Sequence, residues 1–173
     1  VPDAASSLNE SAPSFADMIS GTVTIWVNRG IRLQSGMGLP DRVIGSGFFI
    51  DRRGYLITNY HVIESEVDPE YEGYSRLYIK LPGNPDQNIP ARVVGYDRIF
   101  DIALLKVEVD PDYVFSLTDI RELTPGSGIF AIGSPGGLNN SISSGIISAV
   151  GRRFLQIGDA LQVDVPINPG NSG

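Results

Sequence analysis

The feature that most limits what this chain can fold into is a rhythm of short β-branched runs broken by turn residues, with almost no helical periodicity between them. TVTIWV (22–27), RLYIKL (76–81), ARVVGYD (91–97) and IALLKVEV (102–109) make one group of expected strands. GIFAIG (128–133), SISSGIISAVG (141–151) and LQVDVP (161–166) make a second. Between 45 and 59, GSGFFIDRRGYLITN resolves into two strands around Asp51-Arg52-Arg53-Gly54, where a glycine at positive φ closes a bulged hairpin. Strands this short and this regularly punctuated indicate an all-β barrel or sandwich.

The stretch from Pro111 to Pro125 separates the two groups, so two consecutive small barrels are the preferred reading and a single sandwich the alternative. That reading divides the chain into an N-terminal arm (1–14), a first β-barrel (15–110), a connector (111–125) and the first part of a second β-barrel (126–173). Ser14, followed three residues later by Asp17, points to a short capped helical turn ahead of Gly21. Residues 28–45 hold four glycines, a proline and mixed charges, and read as loop.

Composition narrows the function. A chain of 173 residues with 42% apolar content can bury a substantial core. Its net charge of −7 argues against a nucleic-acid partner, which would demand lysines and arginines for the phosphates. The lack of cysteine removes disulfides, thiolate metal sites and a cysteine nucleophile. No apolar run approaches the ~20 residues of a membrane-spanning helix, so no membrane span is expected. The chain opens at Val1 without a basic-then-apolar leader, and any targeting peptide is expected to be absent from it.

Three positions carry potential chemistry. His61, the only histidine, follows the strand LITN in TNYHVI, where a strand opening into a short turn can present it to a cleft. A lone histidine is ordinarily a surface or core residue, but a neutral imidazole is also the natural base for a hydroxyl nucleophile. Asp101 stands in YDRIFDIALLKV directly before an apolar strand. It reads either as a solvated carboxylate or as the acid that orients the histidine, with Asp97 as competitor. Ser172 lies in INPGNSG, where the unobstructed backbone of Gly170 lets its N–H and that of Ser172 converge as an oxyanion hole.

Taken together, GSGFFIDRRGYLITNYHVI, YDRIFDIALLKV, AIGSPGGLNNSISSGIISAVGR and LQVDVPINPGNSG resemble, in order and spacing, the signature blocks of HtrA (DegP-type) serine proteases. The resemblance spans most of residues 45–173. It implies a trypsin-like double β-barrel, the second barrel incomplete in this chain. It also implies His61 as general base, Asp101 as its orienter, Ser172 as nucleophile, and Gly170 with Ser172 as the oxyanion hole. The order His, Asp, Ser is that of the trypsin-like fold. The expected reaction is hydrolysis of peptide bonds in unfolded or damaged proteins through an acyl-enzyme, without metal or organic cofactor. A bacterial periplasmic or cell-envelope location, a homotrimer and a downstream PDZ domain are implied in the same way. Residues 14–27, with Phe15, Met18 and Trp26, are candidate subunit contacts or internal caps of the first barrel. The stretch 30–47 falls where the family has a long regulatory loop. Residues 1–173 alone are expected to show negligible peptidase activity, because the strands that follow the nucleophile in this fold are missing. The competing reading is a non-catalytic, chaperone-like or peptide-binding module on the same fold.

Other segments carry less. Gly133-Ser134-Pro135-Gly136-Gly137 lacks the Gly-Lys-Ser/Thr ending of a phosphate loop. Asn139-Asn140-Ser141 fits a glycosylation acceptor, a pattern common by chance. Glu64, Glu66, Asp68, Glu70 and Glu72 lack the ligand positions of an EF-hand and read as a solvated, mobile loop. Lying just after His61, they are expected to disfavour acidic peptides; an unchanged cleavage ratio of acidic to neutral peptides after their replacement by glutamine would discard this.

Overall fold

The computed structural model describes residues 13–133, 141–154 and 157–173. Alternating apolar positions bend the first strands around a shared interior: in β1 (Thr22–Gln34), Val23, Ile25 and Val27 are completely buried. β2 (Met37–Asp51), β3 (Tyr55–Thr58), β4 (Arg76–Leu81), β5 (Asn84–Asp97) and β6 (Ile102–Val107) complete an antiparallel ring. Its order is β1-β2-β3-β6-β5-β4, and the pairing of β1 with β4 closes it. Within the ring, closure gives each strand a partner on both sides. Phe49, Leu56, Ile79, Leu105 and Val107 fill the interior, each worth about 1.5–3 kcal/mol of transfer free energy.

The second group forms an open, three-stranded antiparallel sheet of β7 (Gly128–Gly133), β8 (Ser141–Phe154) and β9 (Ile157–Asp164). The all-β expectation therefore holds, as one closed barrel followed by a sheet that is open among the described residues. Residues between β6 and β7 strap the two together. Phe115 donates its N–H to the Phe49 carbonyl at 2.8 Å, and its ring meets Phe48 edge-on. On the far side, Ile147 is buried and makes backbone hydrogen bonds with Gly126 and Ser127. The short helix α1 (Phe15–Ser20) has the expected Ser14–Asp17 capping box, and Phe15 packs edge-on against Phe130 of β7.

Two expectations are corrected. Residues 28–45 are not loop: β1 and β2 run on as a projecting ribbon, paired out to Gln34 and Met37. Ser35 (φ 53°) and Gly36 (φ 81°) both adopt positive φ, as a two-residue turn of the I′ type requires. The segment after β3 is likewise not a simple turn but a helix, α2 (Tyr60–Val67), so Glu64 and Glu66 sit on a helix rather than in a mobile loop. The phosphate-loop-like residues after Gly133, together with Asn139 and Asn140 of the glycosylation pattern, lie outside the described residues.

Candidate active site

α2 is anchored by the burial of Tyr60, Val62 and Ile63, which leaves His61 turned outward on its first turn. Asn59 holds the N-cap position, yet its side chain does not cap the helix. Its amide instead donates to the Asp101 carbonyl at 2.8 Å. Asp97 shapes the chain on the other side, its carboxylate accepting the N–H groups of Ile99 and Phe100 at 2.8 and 3.0 Å. That tight turn delivers Asp101 at φ 56°, a left-handed conformation uncommon outside glycine. Asp97, the competitor on sequence grounds, is thus a turn-forming residue.

Asp101 grips His61 at two points. One carboxylate oxygen accepts the backbone N–H of His61 at 2.8 Å, and the other lies 2.7 Å from Nδ1. A carboxylate can only accept, so Nδ1 carries a proton, and the neutral ring in this orientation turns a free lone pair outward on Nε2. That is the tautomer a general base requires.

The turn bearing Ser172 comes back to β2 of the barrel. Gly170 adopts φ 98° and its carbonyl accepts the Ser46 hydroxyl at 2.8 Å, while the Ser172 carbonyl accepts the Ser46 N–H at 2.6 Å. Gly45 makes room for this approach. A Cβ there would stand 2.7 Å from Val62, the residue after His61, and 3.0 Å from the Ser172 carbonyl oxygen. His61 and Asp101 are thus in direct contact, and the turn carrying Ser172 packs on β2 at Gly45, against which Val62, the residue after His61, also lies. The described hydrogen bonds of His61 run to Asp101 and not to the Ser172 hydroxyl, a contact that in such sites commonly tightens only around substrate. Sequence reasoning missed Asn59 and Ser46; the only local signal was an N-cap type of residue directly before the helix.

Beside His61 lies a cavity of about 100 Å³ lined by Arg29, Val43, Glu64, Asp68 and Tyr71. Among the described residues, no three His, Asp or Glu side chains gather as a metal site. No helix there is long and apolar enough to cross a membrane.

Residues 45–173 match the family model described as "Trypsin-like peptidase domain". The chain belongs to the trypsin-like peptidase family. Within it, the HtrA/DegP-type proteases are its relatives. It is 42% identical over 135 residues to a "Probable periplasmic serine endoprotease DegP-like" of Halomonas elongata, covering 76% of this chain and 26% of that protein. It is 36% identical over 135 residues to the "Putative serine protease HhoB" of a Synechocystis strain, covering 75% of this chain and 30% of that one. The chain thus spans about a quarter of the length of such relatives. Among solved structures, Deg5 superposes with TM-score 0.72 at 29% identity, covering 92% of this chain and 74% of Deg5. The HtrA-type protease AlgW, solved with a tripeptide, also gives TM-score 0.72, at 28% identity, covering 93% and 49% of the two chains.

Proposed function

We propose that this chain is the catalytic part of a serine endopeptidase that cleaves unfolded or damaged proteins. The observation that carries the reading is the two-point grip of Asp101 on His61, which fixes the ring with Nε2 free. In the proposed reaction, Nε2 takes the Ser172 hydroxyl proton as the oxygen attacks the scissile carbonyl. The negative charge that develops on the carbonyl oxygen is met by the N–H groups of Gly170 and Ser172. The imidazolium, stabilised by Asp101, then protonates the departing amine. Water repeats the sequence on the acyl-enzyme and releases Ser172.

The periplasmic names of relatives support a cell-envelope setting, and the family resemblance supports a homotrimer and a further PDZ domain in the full gene product. Hydrolysis of casein by the full gene product, compared with its Ser172→Ala form, tests the reading. Cleavage that disappears in the variant is expected. Undiminished cleavage by Ser172→Ala, or none by the folded wild type, overturns it, and the second result favours a non-catalytic peptide-binding module.

A further inference from the structure

We propose that Ser46 is a positioning residue that keeps the nucleophile turn in register with the base, an inference that rests on the protease reading above. Ser46 lies on β2 opposite Thr24 and is only 2% exposed. Each of its polar groups is committed to the site. Its hydroxyl donates to the Gly170 carbonyl at 2.8 Å, and its N–H donates to the Ser172 carbonyl at 2.6 Å. Its own carbonyl accepts the hydroxyl of Thr58 at 2.7 Å. Thr58, itself buried, is followed at once by Asn59, which holds Asp101, and then by the helix that presents His61. One buried serine therefore links the turn carrying the nucleophile to the strand leading to the base.

The geometry says what that link controls. The Gly170 carbonyl belongs to the peptide plane before Asn171, and the Ser172 carbonyl to the plane after Ser172. The plane that carries the Ser172 N–H, an oxyanion donor in the proposed reaction, lies between these two. With both neighbours tied to β2, its remaining freedom is rotation about its own Cα–Cα axis. The fit is close on the far side too: a Cβ on Gly173 would fall 1.6 Å from the Ser46 carbonyl oxygen, so only glycine can follow the nucleophile here. Loss of the Ser46 hydroxyl frees the first of these planes and leaves the second tied.

Because the oxyanion forms only during reaction, mis-aiming its donors weakens transition-state binding and leaves ground-state binding alone. In the full gene product, Ser46→Ala is expected to lower kcat about 10- to 100-fold, less than removing a donor outright. KM should be unchanged, as should the acidic limb of the pH–rate profile, since the contacts between His61 and Asp101 are untouched. Affinity for a peptidyl boronate built on the best-cleaved casein sequence, which forms a tetrahedral adduct on the serine, should fall in parallel with kcat. Thr58→Val, nearly isosteric, deletes only the donor to the Ser46 carbonyl and should give a smaller loss of the same kind; it decides the matter if Ser46→Ala does not fold. A folded Ser46→Ala with kcat within twofold of wild type refutes the positioning role while leaving the protease reading intact. Wild-type protein that neither turns over casein nor binds the boronate removes both.

Discussion

Replacing Asp101 by asparagine changes one oxygen to an amide nitrogen, and the structure says which one. The backbone N–H of His61 is fixed in the first turn of α2 and needs an acceptor, so the remaining oxygen stays at its 2.8 Å contact. The new NH₂ then faces Nδ1, 2.7 Å away, and donates to it. The ring proton must move to Nε2, which leaves a donor where the proposed reaction needs a lone pair. A triad held in this wrong tautomer loses about 10⁴ in turnover, or ~5.5 kcal/mol of barrier. Stability should hardly respond: the His61 and Asp101 side chains are 52% and 40% exposed, and a pair that open to water contributes within about 1 kcal/mol. Hydrolysis of fluorescently quenched casein, run beside a thermal melt, separates the two effects. Asp101→Asn should melt within about 4 °C of wild type and be almost inactive. A folded variant within tenfold of wild-type turnover would refute the reasoning, because Asp101 would then not control the tautomer.

Asn59→Ala removes the donor to the Asp101 carbonyl; it should cost about 1 kcal/mol in denaturant unfolding and lower kcat by up to about 100-fold, through a loosened Asp101. Gly54→Ala should be among the most damaging single changes in the barrel. Gly54 adopts φ 85°, and a Cβ would lie 2.2 Å from the Val107 carbonyl oxygen, so a loss of about 3 kcal/mol or more is expected in the same assay. Asp51 should titrate far below the ordinary carboxylate range. Hydrogen bonds from the Arg53 side chain, then from its backbone N–H, hold it at about 2. A lowered carboxylate stabilises the fold above its unfolded value, and that contribution fades as pH falls through about 2. NMR titration should show this midpoint, and Arg53→Ala should return it toward 3.8.

How much of this was legible in the sequence depends on whether a signal is local. RLYIKL and GIFAIG are legible to the residue, because short runs rich in apolar and aromatic residues between turn residues mark strands. The ribbon beyond Asn28 escaped. Ile31, Leu33 and Met37 are 65–77% exposed there, so no half-buried alternation exists to read, although the Ser35-Gly36 dipeptide was a usable turn signal. α2 was missed because its eight residues are too few to show a period and include β-branched Val62, Ile63 and Val67. His61 and Asp101 stood out through the motifs around them. Ser46 did not, since nothing around it sets apart a serine on an expected strand, and the nucleophile-turn residues it holds, Gly170 and Ser172, lie more than 120 positions away in the chain.

The central claim is that His61 activates Ser172, and mapping a fluorophosphonate adduct on the full gene product tests it most directly. At neutral pH, tandem mass spectrometry should place a single adduct on Ser172, and His61→Ala should abolish it. An adduct on another residue, or labelling of Ser172 at an undiminished rate without the imidazole, would contradict the account.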